Sequence, residues 1–202
     1  MRVDFEILKS WVPEGAHVLD LACGDGTLLR SLMDDRGVTG YGLENDHQSI
    51  AQCIEKGVNV IDKELVRDLN GFQDNSFDLV IMTQAIQVME FPDIILDEML
   101  RVGRECIVTF PNFGNIRTRG HLALRGKMPV TKKLPFQWYD TPNIHFCTVS
   151  DFQNLCKSKH YRFINQATQA ELLFNKQLKG LWPNLFAETA IYHLTKQTAE
   201  TE

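Results

Sequence analysis

Residues 18–27 read VLDLACGDGT, and this stretch decides the fold. Val18–Ala22 is an apolar run of strand length. Gly24 and Gly26 then turn the chain into Thr27–Met33, where Leu28, Leu29, Leu32 and Met33 fall at helical spacing. A strand, a glycine bend and a helix start form a loop of the kind that holds nucleotides. The same alternation continues outward. Val38–Leu43 reads as a second strand. Asp46–Lys56 reads as a helix capped by Asn45 or Asp46 and stopped by Gly57, with Ile50, Ala51 and Ile54 turned inward. Val58–Ile61 is a third strand, and Phe77–Thr83 a fourth, continuously apolar as burial on both faces requires. Pro92–Val102 is a helix with Pro at its start and Gly103 past its end, and Cys106–Phe110 is a fifth strand. Strands alternating with helices predict an α/β fold with a parallel sheet and right-handed crossovers.

The pattern changes after Pro111. Residues 112–149 carry Pro, Gly, basic and aromatic residues without a clean period. Ser150 and Gln153 then read as a capping box for a helix that uses Phe152, Leu155 and Cys156. Arg162–Thr168 and Ala190–Thr195 complete the strands, and Lys196–Glu202 is a polar tail. The 202 residues make one expected domain, 1–195, with 196–202 as a flexible end. A net charge of −5 argues against a protein that coats nucleic acid with its whole surface. Five scattered cysteines without a Cys-x-x-Cys pair argue against a disulfide framework or a zinc site and fit a reducing compartment. The charged N-terminus is unlike a signal peptide, and no run reaches the roughly 20 apolar residues of a membrane span. These features predict a cytoplasmic protein.

Which ligand does the loop take? A P-loop needs Gly-Lys-Ser/Thr, but Thr27 and Leu28 follow Gly26. A dinucleotide loop has a third glycine where this chain has Leu29. Asp20 and Asp25 place two carboxylates around the bend, which repel pyrophosphate and suit a cationic ligand. S-adenosylmethionine, with its ammonium and sulfonium, is such a ligand. Glu44, at the expected end of the second strand, can accept from ribose hydroxyls in either nucleotide class. Glu64 and Leu65 follow the third strand, where adenine would lie, and Gln84 follows the fourth, near a transferred methyl. The cofactor set is therefore Asp20, Ala22, Gly24, Gly26, Glu44, Asn45, Glu64, Leu65 and Gln84, for S-adenosylmethionine or S-adenosylhomocysteine. A dinucleotide and a vestigial pocket are the alternatives.

VLDLACGDGTLLR and DNSFDLVIMTQAIQVM resemble the first and fourth-strand motifs of class I S-adenosylmethionine-dependent methyltransferases. More narrowly, MLRVGRECIVTFPNFGN, LALRGKMPV and LPFQWYDTPNIHFCT resemble the methionine biosynthesis protein MetW family, over nearly all of residues 2–195. The resemblance implies a Rossmann-like three-layer sandwich whose seven-stranded sheet runs 3-2-1-4-5-7-6, the last strand antiparallel. It also implies work beside a homoserine O-acyltransferase of the MetX type. One departure is Ala22-Cys23, where the motif has Gly-Cys; alanine is small enough to leave the backbone path.

Acceptor chemistry is weakly marked. Thr83-Gln84-Ala85-Ile86 is not the Asn/Asp-Pro-Pro-Tyr of amino-group methylation, and no Asp/His cluster marks a metal mechanism. The candidate catalytic residues are His145, as a base, and Tyr139, both in a loop that could roof the pocket; hydrogen bonds that merely pin this loop are the alternative reading. Residues 113–135 carry Arg117, Arg119, Arg125, Lys127, Lys132 and Lys133 and no acid, with aromatics nearby. That is a solvated lid, a face for a protein partner, or an RNA surface. Three functions follow: a regulatory module acting with the acyltransferase, an active methyltransferase on a small molecule or protein carboxyl group, or an RNA methyltransferase.

Overall fold

The computed structural model describes residues 3–62, 69–131, 134–170 and 180–197. Helix α1 (Val3–Trp11) leads into β1 (His17–Leu21), α2 (Thr27–Arg36), β2 (Thr39–Glu44), α3 (His47–Glu55) and β3 (Val60–Asp62). Then follow β4 (Phe77–Thr83), α4 (Pro92–Val102), β5 (Gly103–Pro111), α5 (Ile116–Arg125) and α6 (Val149–Ser158). The chain closes with β6 (Tyr161–Gln169), the short α7 (Pro183–Phe186) and β7 (Thr189–Lys196). The sheet has seven strands in the order β3-β2-β1-β4-β5-β7-β6. β1 to β5 are parallel, and β7 runs antiparallel to both β5 and β6.

Period-two alternation divides the core between the two sides of this sheet. Leu19, Leu21, Val80, Met82 and Val108 face α4 and α6; Val18, Leu79, Ile81 and Ile107 face α1 and α2. Each of these fully buried side chains contributes roughly 1.5–3 kcal/mol. Close strand contact also needs glycine. At Gly40 (φ +149°) a Cβ would lie 1.8 Å from the Val18 carbonyl oxygen.

Four local expectations are corrected. In α3 the buried residue is Cys53, while Ile54 is 66 % exposed, Ala51 exposed and Ile50 half-buried. The sheet side of this helix is chosen by the loop it covers, where a small thiol fits and a branched chain does not. The capping box of α6 is Thr148 with Asp151, not Ser150 with Gln153. Gln153 instead donates Nε2 to the Tyr192 hydroxyl at 3.0 Å. β3 starts two residues late, at Val60, because Val58 is used to close α3 by donating to the Cys53 carbonyl at 2.9 Å. β5 begins at Gly103, which ends α4 and starts the strand without a spacer; its missing Cβ clears Val80, which would otherwise sit 2.6 Å away.

Candidate functional site

The glycine bend lies at the carboxyl ends of β1 and β2, the edge where open parallel sheets take ligands. Three residues in five hold positive φ: Ala22 (+52°), Gly24 (+56°) and Gly26 (+72°). Ala22 thus occupies a conformation that favours glycine, at a cost of about 1 kcal/mol. Gly26 is required on steric grounds as well. A Cβ there would meet Cys53 Sγ at 2.8 Å and Val58 at 3.3 Å, whereas a Cβ on Gly24 would meet open space. The cysteines pack beneath the bend, with Cys23 and Cys53 sulfurs 3.8 Å apart and the Cys53 thiol donating to the Gly24 carbonyl at 3.2 Å. Burial first, and the nearby Asp20 charge second, push the Cys23 thiol far up, and burial raises Cys53.

Glu44 ties this bend to the next strand end. Its Oε2 accepts from the Gly24 N–H at 2.8 Å, and its Oε1 from the Asn45 and Asp46 N–H groups at 2.9 and 3.1 Å. Asp20 is 1 % exposed at the end of β1. Asp25 is already paired within the chain. It accepts from Lys56 Nζ at 2.5 Å and from the Thr27 N–H and hydroxyl at 3.1 and 2.7 Å. The Lys56 bond, above all, lowers its pKa. The negative character of the site therefore comes from Asp20 and Glu44. Glu64 and Leu65 lie outside the described residues.

At the end of β4, Gln84 also has positive φ (+56°). Its backbone N–H donates to the Thr109 carbonyl at 2.9 Å, and its Nε2 to the Thr109 hydroxyl at 3.2 Å. Its own carbonyl accepts from Gln87 Nε2 at 2.7 Å. Thr109 and Gln87 carry no sequence signal of their own; Thr109 sits inside an apolar strand, and Gln87 in a short turn.

The two candidate catalytic residues are not brought together. His145 and Ile144 donate their backbone N–H groups to the Gln87 carbonyl, both at 3.0 Å, and the His145 ring Nε2 lies 3.3 Å from the Glu90 carbonyl. His145 thus borders a cavity beside α4 and α6 whose lining includes no residue of the bend. Tyr139 is 70 % exposed and sets its ring edge-on to Trp138.

Segment 112–149 hangs from its two ends. The buried Asn112 donates Nδ2 to the Ala187 and Asn184 carbonyls at 2.8 and 3.1 Å, and its Oδ1 accepts from Gly114 and Val149 N–H groups at 3.0 and 3.2 Å. Asn115 adds Nδ2 to the Ala187 carbonyl at 2.9 Å. Between these anchors the chain presents apolar groups to water: Leu124 is 88 % and Trp138 73 % exposed. Arg125 and Lys127 are exposed beside them, and Lys132 and Lys133 lie outside the described residues. Among the described residues no helix is long and apolar enough to cross a membrane, and no cluster of ligands could hold a metal.

The fold is shared with solved class I methyltransferases. A SAM-dependent methyltransferase from Thermotoga maritima superposes with a TM-score of 0.68 at 16 % identity, over 96 % of this chain and 87 % of that one. An S-adenosylmethionine dependent methyltransferase from Mesorhizobium loti gives 0.68 at 14 % identity, over 96 % and 98 %. At such identities the likeness is one of fold. In sequence, the chain is 35 % identical over 164 residues to a "Bifunctional methionine biosynthesis protein MetXA/MetW" of Rhodopirellula baltica. That match covers 77 % of this chain but 26 % of the relative, so the chain spans about a quarter of it. The family model described as "Methionine biosynthesis protein MetW" matches residues 2–194.

Proposed function

We propose that this chain, which belongs to the MetW family of methionine biosynthesis proteins, binds S-adenosylmethionine or S-adenosylhomocysteine at the glycine bend and acts in contact with a homoserine O-acyltransferase. The observation that carries the cofactor reading is the charge at the bend. Asp20 and Glu44 stand at adjacent strand ends, and the lysine at the side of the bend, Lys56, is bound to Asp25. The residues fit an ammonium and a sulfonium, and open space over Gly24 leaves room for them. A pyrophosphate would face two carboxylates and a lysine already paired.

Bound there, S-adenosylmethionine supplies an activated methyl group on sulfonium. The chain's own residues position. Glu44 already accepts three backbone N–H groups, out of about four acceptor positions that a carboxylate offers, so a ribose diol must share or displace one. Asn45 and the backbone of the bend frame the adenosine side, and Glu64 and Leu65 would complete it. Gln84 holds the β4 end rigid through Thr109. Calorimetry on the protein tests this: S-adenosylmethionine and its demethylated product bind, and NADH does not. NADH binding with no adenosyl-sulfur ligand bound would overturn it.

The acyltransferase reading rests on the relative whose printed name joins MetXA and MetW in one polypeptide. Exposed Leu124 and Trp138 beside basic residues are the anchors such a contact needs. If the cofactor reports to the partner, each changes the other's affinity by the same factor. Titrating the cofactor with and without the acyltransferase measures that factor, and identical affinities would remove the regulatory role. A second reading, an active methyltransferase, is favoured by the fixed Gln84 at the β4 end. Labelled-methyl transfer from the cofactor into a cell-extract acceptor, lost in Asp20→Ala, decides for it.

A further inference from the structure

We infer that helix α5 and the turn after it dock an acidic surface of the acyltransferase; this rests on the partner reading above and adds the face used and the chemistry that meets it. By itself α5 is poorly supported. Of its ten residues, Thr118 is the buried one. Helices shorter than about 12–15 residues are marginal in water and owe their stability to a packed face. The charges make this worse. Arg117 and Arg119 sit in the first turn with no acid, against the positive end of the helix dipole. Residues 113–139 contain no Asp or Glu, so the helix has no internal ion pair to draw on. Among the described residues the one ion pair of this stretch is Arg117 with Glu188, at 3.9 Å. Arg119 turns its Nε to the Gly114 carbonyl at 2.6 Å.

Gly120 stands in the middle of this helix, where glycine is a poor helix former. Nothing in the chain asks for it, because a Cβ there would meet open space. Arg117, Gly120 and Leu124 fall at i, i+3 and i+7 and share one stripe, on which Leu124 is 88 % exposed. A notch without a side chain beside an exposed leucine admits close approach from outside. Next to this stripe, His121, Arg125, Lys127, Met128 and Val130 line an open cavity of about 460 Å³. Arg125 and Lys127 are exposed there, so an incoming carboxylate reaches both cations, and its methylenes meet Met128 and Val130. Charge complementarity thus calls for a surface that carries Asp or Glu beside an apolar group for Leu124. The relative whose printed name joins MetXA and MetW in one polypeptide supports the acyltransferase as the occupant, ahead of a membrane or a second copy of this chain.

Titration of the full chain into purified homoserine O-acyltransferase tests the assignment. Raising salt from about 50 to about 300 mM should weaken the complex at least about tenfold, as exposed charge pairs require. Arg125→Glu with Lys127→Glu should weaken it by at least about tenfold at the lower salt. Gly120→Gln fills the notch with a good helix former, so affinity should fall at least about tenfold while the urea midpoint stays the same or rises. That variant separates docking from folding. A complex indifferent to salt, or either variant binding as the wild type does, overturns the proposal while the acyltransferase contact itself stands. No complex with the wild type removes the partner reading, and this proposal with it. A homodimer or a complex with anionic lipid vesicles that Gly120→Gln breaks, with the acyltransferase complex left intact, assigns the face to another occupant and also overturns it.

Discussion

The glycine bend and segment 112–149 sit on the same molecule and are held by opposite means. The bend, residues 22–27, is fixed at nearly every atom: three positive φ angles, Glu44 across the gap, thiols beneath and Lys56 at the side. The segment is fixed near its ends, by Asn112 and Asn115 at its start and by the bonds of Ile144 and His145 to the Gln87 carbonyl, and keeps large apolar side chains in water between them. Preorganisation is what a small ligand needs, since binding then spends little on ordering the site. Exposed aromatic and aliphatic groups on a loosely anchored segment are what a macromolecular surface needs. The contrast teaches that residues crowded by their neighbours are the ones to test for ligand binding, and exposed ones for partners.

Substitutions should break that contrast in a graded way. Gly26→Ala is the heaviest blow, combining a left-handed backbone with overlap on Cys53; a loss of about 3 kcal/mol is expected in urea unfolding, with cofactor binding lost. Asn112→Ala comes next, at about 2 kcal/mol, because it strips four hydrogen bonds from the root of the segment. Proteolysis should then cut within residues 113–148 while the bend stays protected. Ala22→Gly should move the other way, raising stability by up to about 1 kcal/mol as the φ strain is relieved. Unchanged or lower stability would mean that the added chain entropy of glycine wins.

Acid separates the two regions more gently. Asp25 has a folded pKa below its unfolded value of about 4, so its contribution is present above that pH and fades as pH falls through the folded value. The pair is half-exposed and screened, so only a few tenths of a kcal/mol are expected. Lys56→Met should flatten that part of the acid-unfolding curve. Residues 113–139 hold no Asp or Glu and have nothing to titrate there. Smallest of all in stability is Leu124→Ser with Trp138→Ser, within about 0.5 kcal/mol, since both side chains already face water. The same pair should weaken capture of the acyltransferase at least about tenfold if the segment is the docking surface.

The doubly wound half was legible because buried parallel strands are continuous apolar runs and glycines punctuate their exits. Val18–Ala22 and Phe77–Thr83 match β1 and β4 nearly residue for residue. The inward face of α3 was misjudged because residue type outweighed the neighbour: Cys53, less apolar than Ile54, is the one that fits below Gly26. The pairing of Asp25 was not legible because its partner Lys56 lies 31 residues on, beyond any local pattern. The segment was illegible for the same reason, since Asn112 meets Ala187 across 75 residues through side-chain bonds that have no period. Gln87 left no trace in the pattern because an amide within a turn is ordinary until its burial is known.

The antiparallel β7, lying inside the sheet between β5 and β6, sets an order of assembly. As the chain emerges from the ribosome, β6 appears first and finds no slot, because its neighbour has not yet been made. The flank of β5 stays an open template through the whole synthesis of residues 112–188, vulnerable to strand exchange with another nascent chain. Insertion of Thr189–Lys196 then closes both seams at once.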